Sequence, residues 1–345
     1  MRIVHCISTF NTGGAEAMLV DIANEQVKTD DVIVIILDAS YQQYLIDQFD
    51  RKIKVIKMNR KPMGKSPFPI LMFNILLLRL RPDVIHVHTN VLMKFIVIPF
   101  RKIFYTAHAL NVPLTYVHRR IRIIAISDAV KGDILNRKDC VVHTIANGIV
   151  TEKIQKKNIS DYNIKNTFRI VQVGRLAASI KGQDILIEAI KILREYSYDN
   201  ITVDFIGIGE SEDELKKSAC NYNLEKSINF IGLQTREEIY SHLKDYDLMC
   251  HPARHEGFGL VIPEAMSAGL PVLVSNEGGP NEIIRGEKYG YSFISGDARD
   301  CANKIKYIMT NYSEAVDKAR NAIRYSESEY SIKNTVAKYR QYYLS

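Results

Sequence analysis

Cysteine is scarce in this chain and poorly placed for cross-linking. Cys6, Cys140, Cys220, Cys250 and Cys301 are an odd number among 345 residues, and no two form a CxxC pair. That pattern argues against a disulfide framework and a zinc ribbon, suits a reducing compartment, and leaves the thiols as small buried hydrophobes. Long apolar runs are also missing. No stretch reaches the ~18 residues that a spanning helix needs, and the longest candidate, Ile70 to Leu80, is interrupted by Asn74 and Arg79. No secretory leader is expected, because Arg2 to Ser8 runs at once into a Gly-Gly loop. Short-period repeats and low-complexity tracts are absent, which excludes repeat and fibrous architectures. Stacking motifs for nucleic acid are absent too, so no DNA or RNA partner is expected.

Charge of one sign is lacking in only one part of the chain. Residues 1–150 hold 20 Lys and Arg against 12 Asp and Glu, whereas 151–345 hold 26 against 27. The whole formal excess of +7 therefore comes from the first half. Arg51, Lys52, Lys54, Lys57, Arg60, Lys61 and Lys65 precede the apolar Ile70–Leu78 stretch, and a second group is Arg101, Lys102, Arg119, Arg120 and Arg122. Such a half suits an anionic surface or a phosphorylated substrate.

β-rich runs alternate with helical spacing through most of the chain. Nearly continuous apolar strands such as Val32-Ile33-Val34-Ile35-Ile36-Leu37 predict a parallel sheet covered on both faces, and the alternation predicts two doubly wound α/β domains. The first is expected over 1–150 and the second over 168–326. The polar, aperiodic 151–167 reads as a linker, and 327–345 reads as a terminal helix that packs back on the first domain. A site is expected at the C-terminal ends of the strands, between the two sheets.

Two loops carry the chemistry. In His255-Glu256-Gly257-Phe258-Gly259-Leu260, followed by Pro263-Glu264-Ala265-Met266, a helix is expected to start near Leu260 and to stop at Gly269. Pro263 fits only a first turn, where its missing N–H costs nothing. Free first-turn amides and the positive end of the helix dipole make an anion site. The acids Glu256 and Glu264 beside such a site suit hydroxyl groups of a sugar or ribose. The other loop, Gly174-Arg175 through Lys181-Gly182, places two cations after a strand and before a helix, as a metal-free diphosphate clamp would require. His86 and His88 share a strand face, but with no third ligand expected nearby they are read as strand packing or cleft lining. The spacing of His251 and His255, and the Asp245-Tyr246-Asp247 pair, are likewise not read as metal sites, so no metal is expected.

With these residues in hand, the chain resembles the retaining glycosyltransferases of family 4, whose fold is GT-B. The resemblance rests on Gly13-Gly14-Ala15-Glu16, on Pro82-Asp83-Val84-Ile85-His86-Val87-His88, and on Asn147-Gly148. It continues through Gly174-Arg175 with Lys181-Gly182, Glu256-Gly257-Phe258-Gly259 with Glu264-Ala265-Met266, and Gly278-Gly279 with Glu282. It implies two Rossmann-like domains facing across a cleft. It also implies that Arg175 and Lys181 neutralise the donor diphosphate, that Glu264 binds the ribose hydroxyls, and that Glu256 lies beside the transferred sugar. Phe258, Gly259 and Leu260 would offer amides, and His108 would stand near the reacting centre. Gly13 and Gly14 would approach donor phosphate or acceptor, and Leu233 would wall the base. The sequence departs from the pattern at Pro252-Ala253, where Pro-Ser is usual, and at Ala17, where a basic residue often stands.

The implied reaction moves a hexose or N-acetylhexosamine, with retention, from a nucleotide diphosphate sugar to a lipid-linked or polysaccharide acceptor. The implied setting is bacterial capsule or O-antigen assembly. A UDP-sugar is expected ahead of a GDP-sugar, with no separate cofactor. The basic first half adds the expectation of a cytoplasmic protein held peripherally on the inner face of the membrane. The alternative is a sugar-nucleotide epimerase on the same fold. A periplasmic-type sugar binder or a glycoside hydrolase has no use for Arg175 and Lys181.

Overall fold

Runs of β-branched residues with few interruptions become strands buried on both faces. In the computed structural model, which describes residues 1–62, 64, 66–158, 160, 162 and 167–345, the chain forms two units, Met1–Gly148 with Ile332–Ser345, and Ile149–Ser331. The first unit runs β1 (Arg2–Ile7), α1 (Gly14–Gln26), β2 (Asp31–Asp38), α2 (Gln43–Ile46), β3 (Lys54–Arg60) and α3 (Phe68–Leu80). It continues through β4 (Val84–Val87), β5 (Ile103–Ala107), β6 (Ile121–Ala125), α4 (Asp128–Arg137) and β7 (Val142–Thr144). Its seven strands pair in parallel in the order β3-β2-β1-β4-β5-β6-β7. The order reverses between β1 and β4, where His5 lies opposite His86.

The second unit runs β8 (Phe168–Val173), α5 (Ala178–Lys181), α6 (Gln183–Glu195), β9 (Ile201–Ile206), α7 (Glu212–Asn221), β10 (Ile228–Gly232) and α8 (Arg236–His242). After these come β11 (Leu248–His251), α9 (Val261–Ala268), β12 (Val272–Ser275), α10 (Gly278–Ile283), β13 (Tyr291–Phe293), α11 (Ala298–Thr310) and α12 (Tyr312–Glu329). Six parallel strands take the order β10-β9-β8-β11-β12-β13, with the reversal between β8 and β11. Two parallel α/β units are thus what the strand–helix alternation implied.

Both cores follow from the sequence spacing. On α6 the residues Ile185, Leu186, Ala189, Ile190 and Leu193 recur at three- and four-residue intervals, and all are buried against β8, β9 and α11 residues. The first unit buries Leu19, Val20 and Ala23 of α1 against Val32, Val34 and Ile36 of β2.

The last helix, α13 (Ile332–Leu344), belongs to the first unit. Its Tyr339 and Tyr343 are fully buried. Thr335 donates to the Ala146 carbonyl at 3.1 Å. A Cβ on Gly148 would come within 2.7 Å of Thr335 Oγ1 and 2.8 Å of the Ile332 backbone, so the glycine is what allows this approach.

Two expectations are corrected. The stretch 151–167 is no free linker over its described residues. The Gln155 and Lys157 amides donate to Tyr240 and Ala268 carbonyls of the second unit, and the buried Lys157 ammonium donates to the Tyr246 carbonyl. Residues 159, 161 and 163–166 lie outside the described residues, as does Lys65 of the basic cluster. Helix α12 continues through Glu329, beyond the expected domain end at 326.

Candidate functional site

In the second unit the loops after β8 and β11 stand side by side at the strand-order reversal, the position at which doubly wound sheets open a crevice. Backbone fit ties them together. Gly182 has φ of +70°, and a Cβ there would lie 2.0 Å from the Pro252 carbonyl oxygen, so no side chain is tolerated. Arg254 reaches back with paired 2.7 Å bonds to Asp184 and one of 2.8 Å to the Ala178 carbonyl. The Arg254 and His255 amides donate to the Ile180 carbonyl at 2.8 and 3.2 Å. The short α5 is thereby stapled to the acid-bearing loop, and Lys181 at its end is aimed at Glu256.

Glu256 accepts from the Lys181 ammonium and, at 3.3 Å, from His251 Nε2. Burial alone would raise this carboxyl, but the His251 bond and the Lys181 charge outweigh it and hold the pKa at about 2. Glu256 is therefore an anion at any ordinary pH. From the other side, Gly278 and Gly279 pack on the backbone of this loop. A Cβ on Gly279 would sit 2.4 Å from the Gly257 carbonyl oxygen, and one on Gly278 would sit 2.7 Å from that of Glu256. This close approach explains why two glycines stand there.

Helix α9 starts where the Pro263 argument placed it, with Pro263 in its first turn and Gly269 closing it at φ of +78°. Gly259 turns into it with φ of +90°. The N–H groups of Phe258, Gly259, Leu260 and Val261 donate to no protein group among the described residues. Four unspent donors beside a helix start are a ready anion site. The Phe258 ring is buried and meets Tyr330 edge-on, with centroids 5.7 Å apart. On α9, Glu264 is buried and accepts from the Tyr240 hydroxyl at 2.7 Å and from Arg236 at 3.4 Å.

The two cations of the expected clamp are held differently. The Lys181 side chain is 25% exposed on Glu256, whereas that of Arg175 is 69% exposed and bonded at 3.0 Å to the exposed Glu210. Each cation thus has its own acid, and they share no partner. Leu233, just past β10, is exposed. Sequence reasoning missed Arg254, Asp184, Tyr240 and Arg236, and it considered His251 only as a metal ligand. A basic residue inside the acid-bearing loop was the one available signal, for Arg254.

In the first unit Gly13 and Gly14 open α1, and a Cβ on Gly13 would meet Glu16 Oε2 at 2.5 Å. His108 follows β5 and is partly buried. The expectation that His86 and His88 lack a third partner is corrected, since the sheet order brings His5 of β1 beside them, with ring nitrogens of all three within 4.8 Å. Both nitrogens of each ring are already hydrogen-bonded. His5 bonds Gln26 and His88, His88 also bonds His108, and His86 bonds Thr106 and the Tyr343 hydroxyl. No carboxylate joins the group among the described residues.

The family model described as glycosyl transferases group 1 matches residues 154–328, and that of glycosyltransferase family 4 matches residues 12–153. The chain is 29% identical over 203 residues to the amylovoran biosynthesis glycosyltransferase AmsK of Erwinia amylovora, covering 54% of this chain and 49% of that protein. It is 26% identical over 219 residues to a poly(ribitol-phosphate) alpha-N-acetylglucosaminyltransferase of Staphylococcus aureus, covering 63% and 42%. The matched region thus spans about half or less of these relatives. The crystal structure of Anabaena Alr3699/HepE in complex with UDP and glucose superposes with a TM-score of 0.84 at 21% identity, covering all of both chains. At that identity the likeness shows the fold.

Proposed function

The chain belongs to the glycosyl transferases group 1 and carries the GT-B fold, and from that premise we propose that it is a retaining, metal-independent glycosyltransferase. Its donor would be a nucleotide diphosphate sugar, a UDP-hexose or UDP-N-acetylhexosamine ahead of a GDP-sugar, and its product a bacterial surface polysaccharide. The observation that carries the reading is the pocket at the start of α9, where four unspent amides stand beside the Lys181–Glu256 pair.

Cleavage of a sugar–diphosphate bond leaves negative charge on the phosphate and positive charge on the ring. The amides, with Lys181 and with Arg175 released from Glu210, stabilise the leaving group where its charge develops. Glu256, fixed as an anion, faces the ring side, and Glu264 on its Tyr240–Arg236 seat takes ribose hydroxyls. Support for a polysaccharide product comes from the relatives, one named for amylovoran biosynthesis and one for poly(ribitol-phosphate) glycosylation. A thermal-shift screen tests the donor: a nucleotide diphosphate at a hundred times its Kd should add ~2.7 kcal/mol of stability. No shift with any uridine or guanosine diphosphate overturns the reading.

The acceptor is proposed to be lipid-linked, on the inner face of the membrane. Phe68, Leu71, Met72 and Leu78 of α3 are exposed, Leu71 and Met72 three and four residues after Phe68 and Leu78 seven after Leu71. Exposed apolar side chains grouped on one helix mark an interaction surface. The parallel sheet also gathers the residues preceding β3, β4, β5 and β6 at one edge, and these include Arg51, Lys52, Arg81, Arg101, Arg119 and Arg120. Each such cation near an anionic leaflet contributes about 1 kcal/mol. No helix among the described residues is long and apolar enough to cross a membrane, so attachment would be peripheral. Co-sedimentation with vesicles that ignores both anionic lipid and salt would refute it.

A further inference from the structure

A line of hydrogen bonds, buried as far as His88, runs across three neighbouring strands of the first unit and ends at the partly buried His108. It begins at Gln26, the last residue of α1, whose Oε1 lies 2.7 Å from His5 Nε2. Across the β1–β4 pairing, His5 Nδ1 lies 3.0 Å from His88 Nε2. His88 Nδ1 then lies 3.1 Å from His108 Nε2, just past the end of β5. His108 Nδ1 has no protein partner among the described residues and is not among the buried unpartnered atoms.

A neutral imidazole has one N–H and one bare nitrogen, so each bond in such a chain dictates the next. The amide oxygen of Gln26 can only accept, which puts the proton of His5 on Nε2. His5 Nδ1 must then accept from His88 Nε2–H, and His88 Nδ1 from His108 Nε2–H. Burial enforces neutrality: it lowers His5 and His108 to about 4, and with the neighbouring imidazoles it lowers His86 and His88 well below the ordinary value. The groups facing the chain are themselves uncharged. His86 packs against His5 and His88, and its own nitrogens bond Thr106 and the Tyr343 hydroxyl, with Tyr339 behind Thr106.

We propose that Gln26, His5 and His88 are positioning residues that fix His108 as the Nε2–H tautomer, presenting a bare Nδ1 that accepts a hydrogen bond from a hydroxyl-bearing ligand. That the hydroxyl belongs to a sugar rests on the glycosyltransferase reading; the tautomer does not. Gln26 Nε2 is buried, faces Tyr343 and makes no well-formed hydrogen bond. Turning this amide would make it a donor to His5, reverse every proton in the chain and place hydrogen on His108 Nδ1. The orientation of one remote amide and the chemistry of His108 are therefore a single variable.

Long-range proton–nitrogen correlation on histidine-labelled protein at pH 7.5 reads each ring directly. The expected result is an unprotonated Nδ1 and a protonated Nε2 at His108. Gln26→Leu removes the terminal acceptor, so the His108 shifts should move toward an average of the two tautomers. Gln26→Glu keeps an acceptor in place and should retain the native pattern. A protonated Nδ1 in the native protein, or unmoved His108 shifts in folded Gln26→Leu, overturns the proposal. In parallel, Gln26→Leu should lower kcat about three- to tenfold with the KM for donor unchanged. Moved shifts without that loss leave the relay standing and remove His108 from the transfer reaction.

Discussion

At the centre of the first unit the buried polar groups are His5, His86, His88, Gln26, Thr106, Tyr339 and Tyr343, linked by neutral hydrogen bonds. At the corresponding strand-order reversal of the second unit the polar side chains are partly exposed ion pairs, Lys181 with Glu256, Arg254 with Asp184 and Arg236 with Glu264. The topology is alike, yet neutral groups line the first reversal and ion pairs the second; the first sheet keeps its buried Arg60–Asp38 pair at the ends of β3 and β2, away from the reversal. A neutral network costs little desolvation and transmits proton positions. A charged one keeps its solvation penalty offset only while both partners are present, and it stands ready to exchange a protein anion for a ligand's phosphate. On the proposed reading, the same architecture supplies a proton-ordering device in one half and an anion site in the other.

Acid should separate the two most sharply. His5 and His108 have folded pKa values of about 4, below the ~6.5 of an unfolded chain. Their contribution is complete above pH 6.5 and is lost as pH falls toward 4, on the order of 3 kcal/mol for each ring. Glu256 is held at about 2, so its contribution, roughly 2–3 kcal/mol, is lost only as pH falls from about 4.5 toward 2. Hydrogen exchange at pH 5, corrected for intrinsic rates, should show β1 and β4 deprotected while β8 and β11 hold. Simultaneous loss in both units, only below pH 4.5, would erase the contrast.

A substitution in the charged centre comes next in size. Lys181→Ala should lower sugar transfer by ~10² or more while far-ultraviolet circular dichroism and cooperative melting persist. Near-normal turnover of the folded variant would take Lys181 out of the reaction. Smaller still is the effect of thinning the neutral centre. Tyr343→Phe leaves His86 Nδ1 without its hydroxyl partner and should cost about 1–3 kcal/mol in urea titration, with the KM for donor unchanged. A loss below a few tenths would mean that His86 finds another partner.

Much of this contrast was legible in the sequence, for reasons that can be located. Apolar runs such as 32–37 and the spacing on α6 state their burial outright. Pro263 and Gly269 bracket α9 because each tolerates only its own place in a helix. The Lys181-Gly182 pair was legible as a cation beside a turn, although its cause, the Pro252 carbonyl against Gly182, is a contact between distant segments. What stayed hidden was whatever the sheet order assembles. His5 is 81 residues from His86 and meets it only because β1 pairs with β4. Arg254 and Asp184 are 70 apart in sequence, and neither belongs to a pattern that spacing could expose. Strand β13, three residues long at a sheet edge, is too short to carry a period. Arg175 shows a different limit: its charge was legible, but its engagement with Glu210 was not.

The most direct test of the central claim, that the pocket at the start of α9 receives a diphosphate, is amide hydrogen exchange with and without saturating UDP. The expected result is slowed exchange at residues 258–261 and 178–182 in the native protein and its loss in Lys181→Ala. Unchanged exchange there in the native protein, with UDP shown to be bound, would contradict it.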